Sequence, residues 1–194
     1  MTSPLTVLAV LAAGSGSRFD GPTHKLLSPL RDSTVSGLAV QSALDAELGP
    51  VVVVVGATEL ALPRWVTRLH NPRWQQGLAT SVQVAITHAR TLGADNLVIG
   101  LGDQPLVLPT TWQAVAHSPS PIAVATYDGV RANPVKLAAS VWDEMPHEGD
   151  EGARAVMRKH PEWVTEVPCD GSAADVDTAQ DLDEIRQSTE GRDD

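Results

Sequence analysis

Five valines in a row, Val51 to Val55, leave no face of that segment for water. Valine's branched Cβ favours extended backbone, so the run reads as a strand that helices must cover on both sides. Leu5 to Ala12 and Asn96 to Leu101 are apolar runs of the same kind. Helical periodicity fills the intervals, over Thr34 to Glu47 and more clearly over Leu78 to Leu92. In the second interval Leu78, Val82, Ala85, Ile86 and Ala89 recur at i, i+4, i+7, i+8 and i+11, one stripe of a helix. Strands and helices alternating in this order predict an α/β fold, three-layered and Rossmann-like, around a mostly parallel sheet.

Beyond Leu101 the pattern changes. Pro109 suits the first turn of a shorter helix. Ile122 to Thr126 and Val130 to Leu137 flank Asp128-Gly129, a pair suited to the positive φ angles of a tight hairpin, so an antiparallel hairpin element is expected in the sheet. The Asn133-Pro134 step marks a sheet edge or a break that faces a ligand. A helix over Glu151 to His160, a strand over Trp163 to Val167 and a helix over Thr178 to Gln187 complete the pattern. The 194 residues are read as a single domain over 1–188, with 189–194 as a disordered polar tail.

Charge and cysteine content narrow the function classes. With 14 basic and 24 acidic side chains the formal charge is −10, which disfavours nucleic acid and anionic membranes as partners. Any phosphate must be met by a local cluster of donors. One cysteine, Cys169, excludes an internal disulfide and a cysteine-rich metal centre, and without a basic neighbour it reads as a bystander. The apolar start lacks a basic leader and stays well short of the roughly 20 residues that span a bilayer, so a soluble, cytoplasmic protein is expected. The six histidines show no ligand spacing and read as surface or capping groups. Trp65, Trp142 and Trp163 read as packing residues.

The sharpest chemical signal follows the first strand. Leu11-Ala12-Ala13-Gly14-Ser15-Gly16-Ser17-Arg18 ends in a cation, and Lys25 adds a second. Two glycines one residue apart let backbone N–H groups approach an anion, while a guanidinium fork and an ammonium meet its charge. A third glycine near Phe19, which a dinucleotide loop would need, is absent, as is the Gly-Lys-Ser/Thr of a P-loop. Gly102-Asp103-Gln104-Pro105 lies at the carboxyl end of the third strand, where α/β sheets bind ligands. Asp103 there is placed to hold Mg²⁺ beside phosphate oxygens. In Asp175-Val176-Asp177-Thr178, Asp177 is either a helix N-cap or a second metal ligand; alternatively Thr178 caps with Asp181 three residues on.

Two further stretches read as substrate-site material. Asn71, Gly77 and Ser81 lead into the clear helix, whose start favours an anion. Gly149-Asp150-Glu151-Gly152-Ala153-Arg154 brings glycines and a cation to another helix start. Both stretches would serve equally as ordinary capped helices.

In this order, and with Asn133-Pro134-Val135 between them, these motifs resemble those of the molybdenum cofactor cytidylyltransferases, nucleotidyltransferases with a glycosyltransferase-A-like fold. The resemblance runs from Leu5 to about Leu182. It implies a reaction in which a nucleoside triphosphate and molybdopterin cofactor give the dinucleotide form of the cofactor and pyrophosphate. On that resemblance Leu11 to Arg18, Lys25, Asn71, Gly77, Ser81, Gly102 and Asp103 contact the nucleotide. Arg18 and the loop hold the β- and γ-phosphates, and Lys25 supports the α-phosphate. Arg18, Lys25 and Asp103 carry catalysis, and Asp103 and Asp177 ligate Mg²⁺. Asn133, Pro134, Gly149, Asp150, Gly152 and Arg154 face the acceptor, and a client molybdoenzyme is the implied partner. Ala13, where guanylyltransferases of this kind have glycine, implies CTP. Related enzymes acting on a sugar 1-phosphate or phospholactate share the loop and Asp103, and a non-catalytic nucleotide- or cofactor-delivery protein is the alternative outside enzymes.

Overall fold

The computed structural model describes residues 4–190. Strand β1 (Thr6–Ala12) is followed by a two-residue hairpin, β2 (Pro29–Leu30) and β3 (Ser33–Thr34), and by helix α1 (Val35–Asp45). Then come β4 (Val51–Val55), β5 (Thr67–His70), α2 (Leu78–Thr91), β6 (Asn96–Leu101) and α3 (Pro109–His117). The chain closes with β7 (Ile122–Tyr127), β8 (Val130–Ala138), α4 (Ala153–Lys159), β9 (Val164–Pro168) and α5 (Ala179–Glu190). Seven strands form one sheet in the order β5-β4-β1-β6-β8-β7-β9. Only β8 runs against its neighbours, pairing antiparallel with both β6 and β7.

Burial of both sheet faces explains the apolar runs. Leu97 and Ile99 of β6 pack with Val82, Ala85, Ile86 and Ala89 of α2, and Val156 and Met157 of α4 join the same cluster. Alternate residues, Val98 among them, face Ala39 and Val40 of α1 and Trp112 and Val115 of α3 on the other side. The three layers are therefore α2 and α4, the sheet, and α1 and α3. Leu182 and Ile185 of α5, with Val176 from the segment before it, cluster with Leu30 and Val35.

The chain leaves β1 for β4 and β5 on one side and returns to β6 on the other, so the sheet reverses its winding between β1 and β6. Loops leaving the carboxyl ends of two such strands diverge and open a crevice. Both motif-bearing loops, after β1 and after β6, leave from this point.

Several details depart from the expectations. Pro134 is not at an edge: β8 lies inside the sheet. Its ladder shifts register, with Val124 opposite Val135 but Ala125 opposite Ala132, so Asn133 and Pro134 are the looped-out pair. A residue without an N–H fits a bulge in an interior strand. The helix expected from Glu151 starts at Ala153, because Gly152 precedes it at φ 50°. The closing helix continues to Glu190, and residues 191–194 of the expected tail lie outside the described residues. Trp65 does not pack: it is 78% exposed. Trp142 is buried and its indole N–H donates to the Leu137 carbonyl, while Trp163 stacks on His160 at 3.7 Å. The tight turn at Asp128-Gly129 has the expected positive φ angles of 50° and 79°.

Gly100 of β6 faces α3 so closely that a Cβ there would lie 2.4 Å from the Trp112 ring. Gly100→Ala should overpack this contact and lower stability by about 1–3 kcal/mol, read as a fall in the urea midpoint with unchanged slope.

Candidate active site

The loop after β1 is pinned at its root from two sides. The Gly102 N–H donates to the Leu11 carbonyl at 2.8 Å, and the Ala57 N–H to the Ala13 carbonyl at 3.0 Å. Gly102 is required by the first contact, since a Cβ would sit 2.9 Å from that of Ala12. The two loop glycines differ in kind. Gly16 has φ +62° and lies against Lys25 Cγ and the His24 ring, whereas a Cβ on Gly14 would meet nothing within 4 Å.

Lys25 opens a short 3₁₀ turn that the His24 side chain caps by accepting from the Leu26 N–H. Its ammonium, on a side chain only 10% exposed, donates to Asp103 Oδ2 at 2.6 Å and to Asp177 Oδ1 at 2.9 Å. The exposed Arg18 guanidinium reaches the other oxygen of Asp177 at 2.9 Å. Burial works to lower the Lys25 pKa, but the charge and hydrogen bond of Asp103, with those of Asp177, outweigh it and hold the group above the ordinary lysine value. Lys25 is thus a fixed cation at neutral pH. His24 goes the other way: burial leads in lowering its pKa, against the carbonyls of Gly14 and Ser15, and the Lys25 charge adds to the burial.

Asp177 is free for this role because its neighbours cap the helix. The Thr178 hydroxyl accepts from the Asp181 N–H, while Asp181 Oδ2 accepts from the N–H groups of Thr178 and Asp177. This reciprocal box leaves the Asp177 carboxylate pointing into the cleft.

Leu11, Ala12, Gly14, Gly16, Ser17 and Arg18 line one cleft of about 200 Å³ together with Lys25, Asp103 and Asp177. Ala13 is 5% exposed and does not contribute to that lining. A wider groove of about 800 Å³ between α1, α5 and the segment 105–109 contains none of the expected site residues.

The remaining expected residues lie outside the cleft lining. Asn71 is buried, and its amide donates to the hydroxyls of Thr80 and Ser81; it holds the chain entering α2. The start of α2 already has an anion of the protein's own. Asp150 Oδ1 accepts from the Leu78 N–H at 3.2 Å, and the Gly149 carbonyl accepts from the Ala79 N–H. Gly77 permits this docking, since a Cβ there would lie 2.4 Å from the Gly149 carbonyl. Gly152 is buried and Arg154 is exposed. Asn133 and Pro134 sit in the β8 bulge, where the Asn133 carbonyl accepts from the Tyr127 hydroxyl.

Gln104 carries more of the site than its place in the motif suggested. It is 4% exposed and reaches the segment before Asp177. A polar side chain that follows a strand-end carboxylate was the available signal. Cys169 stays a bystander in geometry: burial, foremost, pushes its thiol above the ordinary value, so it is protonated at neutral pH.

The chain matches the MobA-like NTP transferase domain over residues 8–182. It belongs to the MobA-like NTP transferase family. As a member of that family it is a nucleotidyltransferase. It is 30% identical to the purine catabolism protein PucB of Bacillus subtilis over 97% of this chain and 99% of that protein. Its fold superposes on the manganese complex of Rv0371c from Mycobacterium tuberculosis H37Rv with a TM-score of 0.77 and 26% identity, covering 95% of this chain and 99% of that one. A nucleotidyl transferase from Methanothermobacter thermautotrophicus shares the fold at a TM-score of 0.83 and 22% identity, over 97% and 99% of the two chains. Among the described residues no helix is long and apolar enough to cross a membrane.

Gly14→Ala should leave the melting temperature within about 2 °C of the parent, because open space surrounds the new methyl, yet weaken nucleotide binding. Gly16→Ala should lower both, since its positive φ strains an alanine and its Cβ meets the Lys25 stem. Thermal melts and nucleotide titrations on the two variants check the contrast.

Proposed function

We propose that the chain transfers a nucleoside monophosphate from CTP to the phosphate of molybdopterin cofactor and releases pyrophosphate. The observation that carries the reading is the cleft in which one buried ammonium joins two carboxylates beside a glycine loop. Two carboxylates that touch the same nitrogen are close enough to share one cation. Their hard oxygens suit Mg²⁺, which is held through one or two carboxylates plus substrate phosphates rather than by a full protein cage. Asp103 and Asp177 would hold Mg²⁺; when bound, it neutralises charge developing on the phosphate oxygens.

The chain's own groups do the rest. The Gly14–Ser17 backbone and Arg18 hold the β- and γ-phosphates, and the ammonium of Lys25 stabilises charge on the α-phosphate. The acceptor's phosphate oxygen attacks the α-phosphorus in line, the bond to the bridging oxygen breaks, and its electron pair leaves with pyrophosphate. Asn133, Pro134 and the Gly149–Arg154 loop are assigned to the acceptor side, and a client molybdoenzyme receives the product. The reading places the reaction in the cytoplasm, where nucleoside triphosphates are available.

Pyrophosphate release, measured with CTP, GTP and ATP across a panel of molybdopterin cofactor, sugar 1-phosphates and phospholactate, tests the assignment. Turnover with CTP and the pterin alone is expected. Preference for another acceptor would replace the substrate, and nucleotide binding with no turnover would favour a delivery protein. Asp103→Asn should abolish turnover in a protein that stays folded but melts lower, because the sheltered Lys25 ammonium loses a charged partner; undiminished turnover of the parent in excess chelator would sink the metal reading. Lys25→Ala should lower kcat by roughly 10²–10³ with a smaller rise in the nucleotide KM. If Ala13 sets base choice, Ala13→Gly narrows a CTP preference that is on the order of 10- to 200-fold in kcat/KM. Equal efficiency with GTP in the parent would assign the chain to guanylyl transfer instead.

A further inference from the structure

We propose that Gln104 and Asp175 form a positioning brace that sets the separation of Asp103 and Asp177. The cleft's affinity for a divalent cation together with its nucleotide would depend on that separation. The proposal rests on the reading above that those two carboxylates share a cation.

The brace joins segments far apart in the chain. Gln104 Nε2 donates to the Ala173 carbonyl at 3.0 Å and to Asp175 Oδ1 at 2.8 Å. One residue earlier, the Asp103 carbonyl accepts from the Val176 N–H at 2.9 Å. The end of β6 is therefore tied to the 173–177 segment by three hydrogen bonds. Asp103 stands on one side of the tie and Asp177 on the other, and both reach Lys25. Val176 is 0% exposed and anchors the tie in the cluster around Leu182 and Ile185.

The chemistry of Gln104 argues that its role is geometric rather than adhesive. Both partners of Nε2 are acceptors, so the amide has one orientation, and that orientation leaves Oε1 buried without a partner among the described residues. Burying an unsatisfied oxygen costs stability that an apolar side chain of similar size would keep. What the amide supplies and leucine cannot is a fixed direction toward Asp175. Two carboxylates that share a cation also repel each other, and the repulsion grows whenever a phosphate draws the Lys25 ammonium away. The brace opposes their separation at that moment. Gln104 touches neither carboxylate of the pair, so it acts through them.

The test measures Mn²⁺ binding by the paramagnetic signal of the free ion, on the full chain with a non-hydrolysable CTP analogue. Gln104→Leu and Asp175→Ala should each weaken Mn²⁺ about tenfold or more, the range seen when a group that fixes the placing of metal ligands is lost. The double variant should be no weaker than the worse single one. Affinity for the analogue without metal should stay within about twofold of the parent, a split that mere loss of packing would not produce. Asp175→Asn keeps an acceptor oxygen for Nε2 and should restore most of the affinity. A folded Gln104→Leu protein that binds Mn²⁺ like the parent would overturn the proposal. So would an Asp175→Asn protein as weak as Asp175→Ala, and that pair decides the matter if Gln104→Leu does not fold. Equal Mn²⁺ affinity in the parent and in Asp103→Asn would instead remove the shared-cation reading itself.

Discussion

A single ammonium holds the site together. Lys25 lies in the loop after β1, Asp103 at the end of β6 and Asp177 ahead of α5, and the two ion pairs from Nζ span 78 and 152 residues of chain. An ammonium this sheltered is tolerable only because both its neighbours are charged and in contact; a buried charge lacking such partners would shift its pKa and neutralise. The same argument runs in reverse. Two carboxylates crowded into one cleft of an acidic protein would repel each other without the cation between them. Charge balance in the cleft is therefore local, set by Lys25 and Arg18 against Asp103 and Asp177, and it is independent of the surplus of acidic groups elsewhere.

Parallel-sheet topology makes that convergence possible. Because β1 and β6 are neighbours while the chain winds away from them toward opposite ends of the sheet, groups at both strand ends meet over the crevice between them. The short tie from the Asp103 carbonyl to the Val176 N–H then brings a segment from near the end of the chain to the same place. The capping box of Thr178 and Asp181 completes the arrangement by releasing Asp177 from helix duty.

Much of this was legible in the residues. Val51–Val55 and Asn96–Leu101 appear as strands over the expected ranges, because a strand covered on both faces has no polar positions to blur its ends. Strand β5 was not anticipated. Its Thr-Arg-Leu-His sequence is mostly exposed and carries neither alternation nor an apolar run, since an edge strand owes its conformation to the neighbour it pairs with. The loop, Arg18, Lys25 and Asp103 were legible because local spacing and the end of a strand mark them. The docking of Asp150 onto α2 was not, since it depends on where residues 149–152 return in space. The choice among caps at Asp177 and Thr178 was open for the same reason: both sequences of hydrogen bonds fit the local chain, and only the pull of Lys25 and Arg18 separates them.

The two outermost strands have a consequence of another kind. A sheet's open edges present unpaired backbone groups that can recruit a strand from another molecule. In this protein β5 and β9 occupy those positions, and both are short and charged. Arg68 of β5 lies near Glu59, and Glu166 of β9 pairs with Arg131. A foreign strand docking at either border would have to strip water from these groups, which makes the borders poor templates for aggregation. The valine-rich centre, the most adhesive part of the chain, is thereby kept at least one strand away from any exposed border.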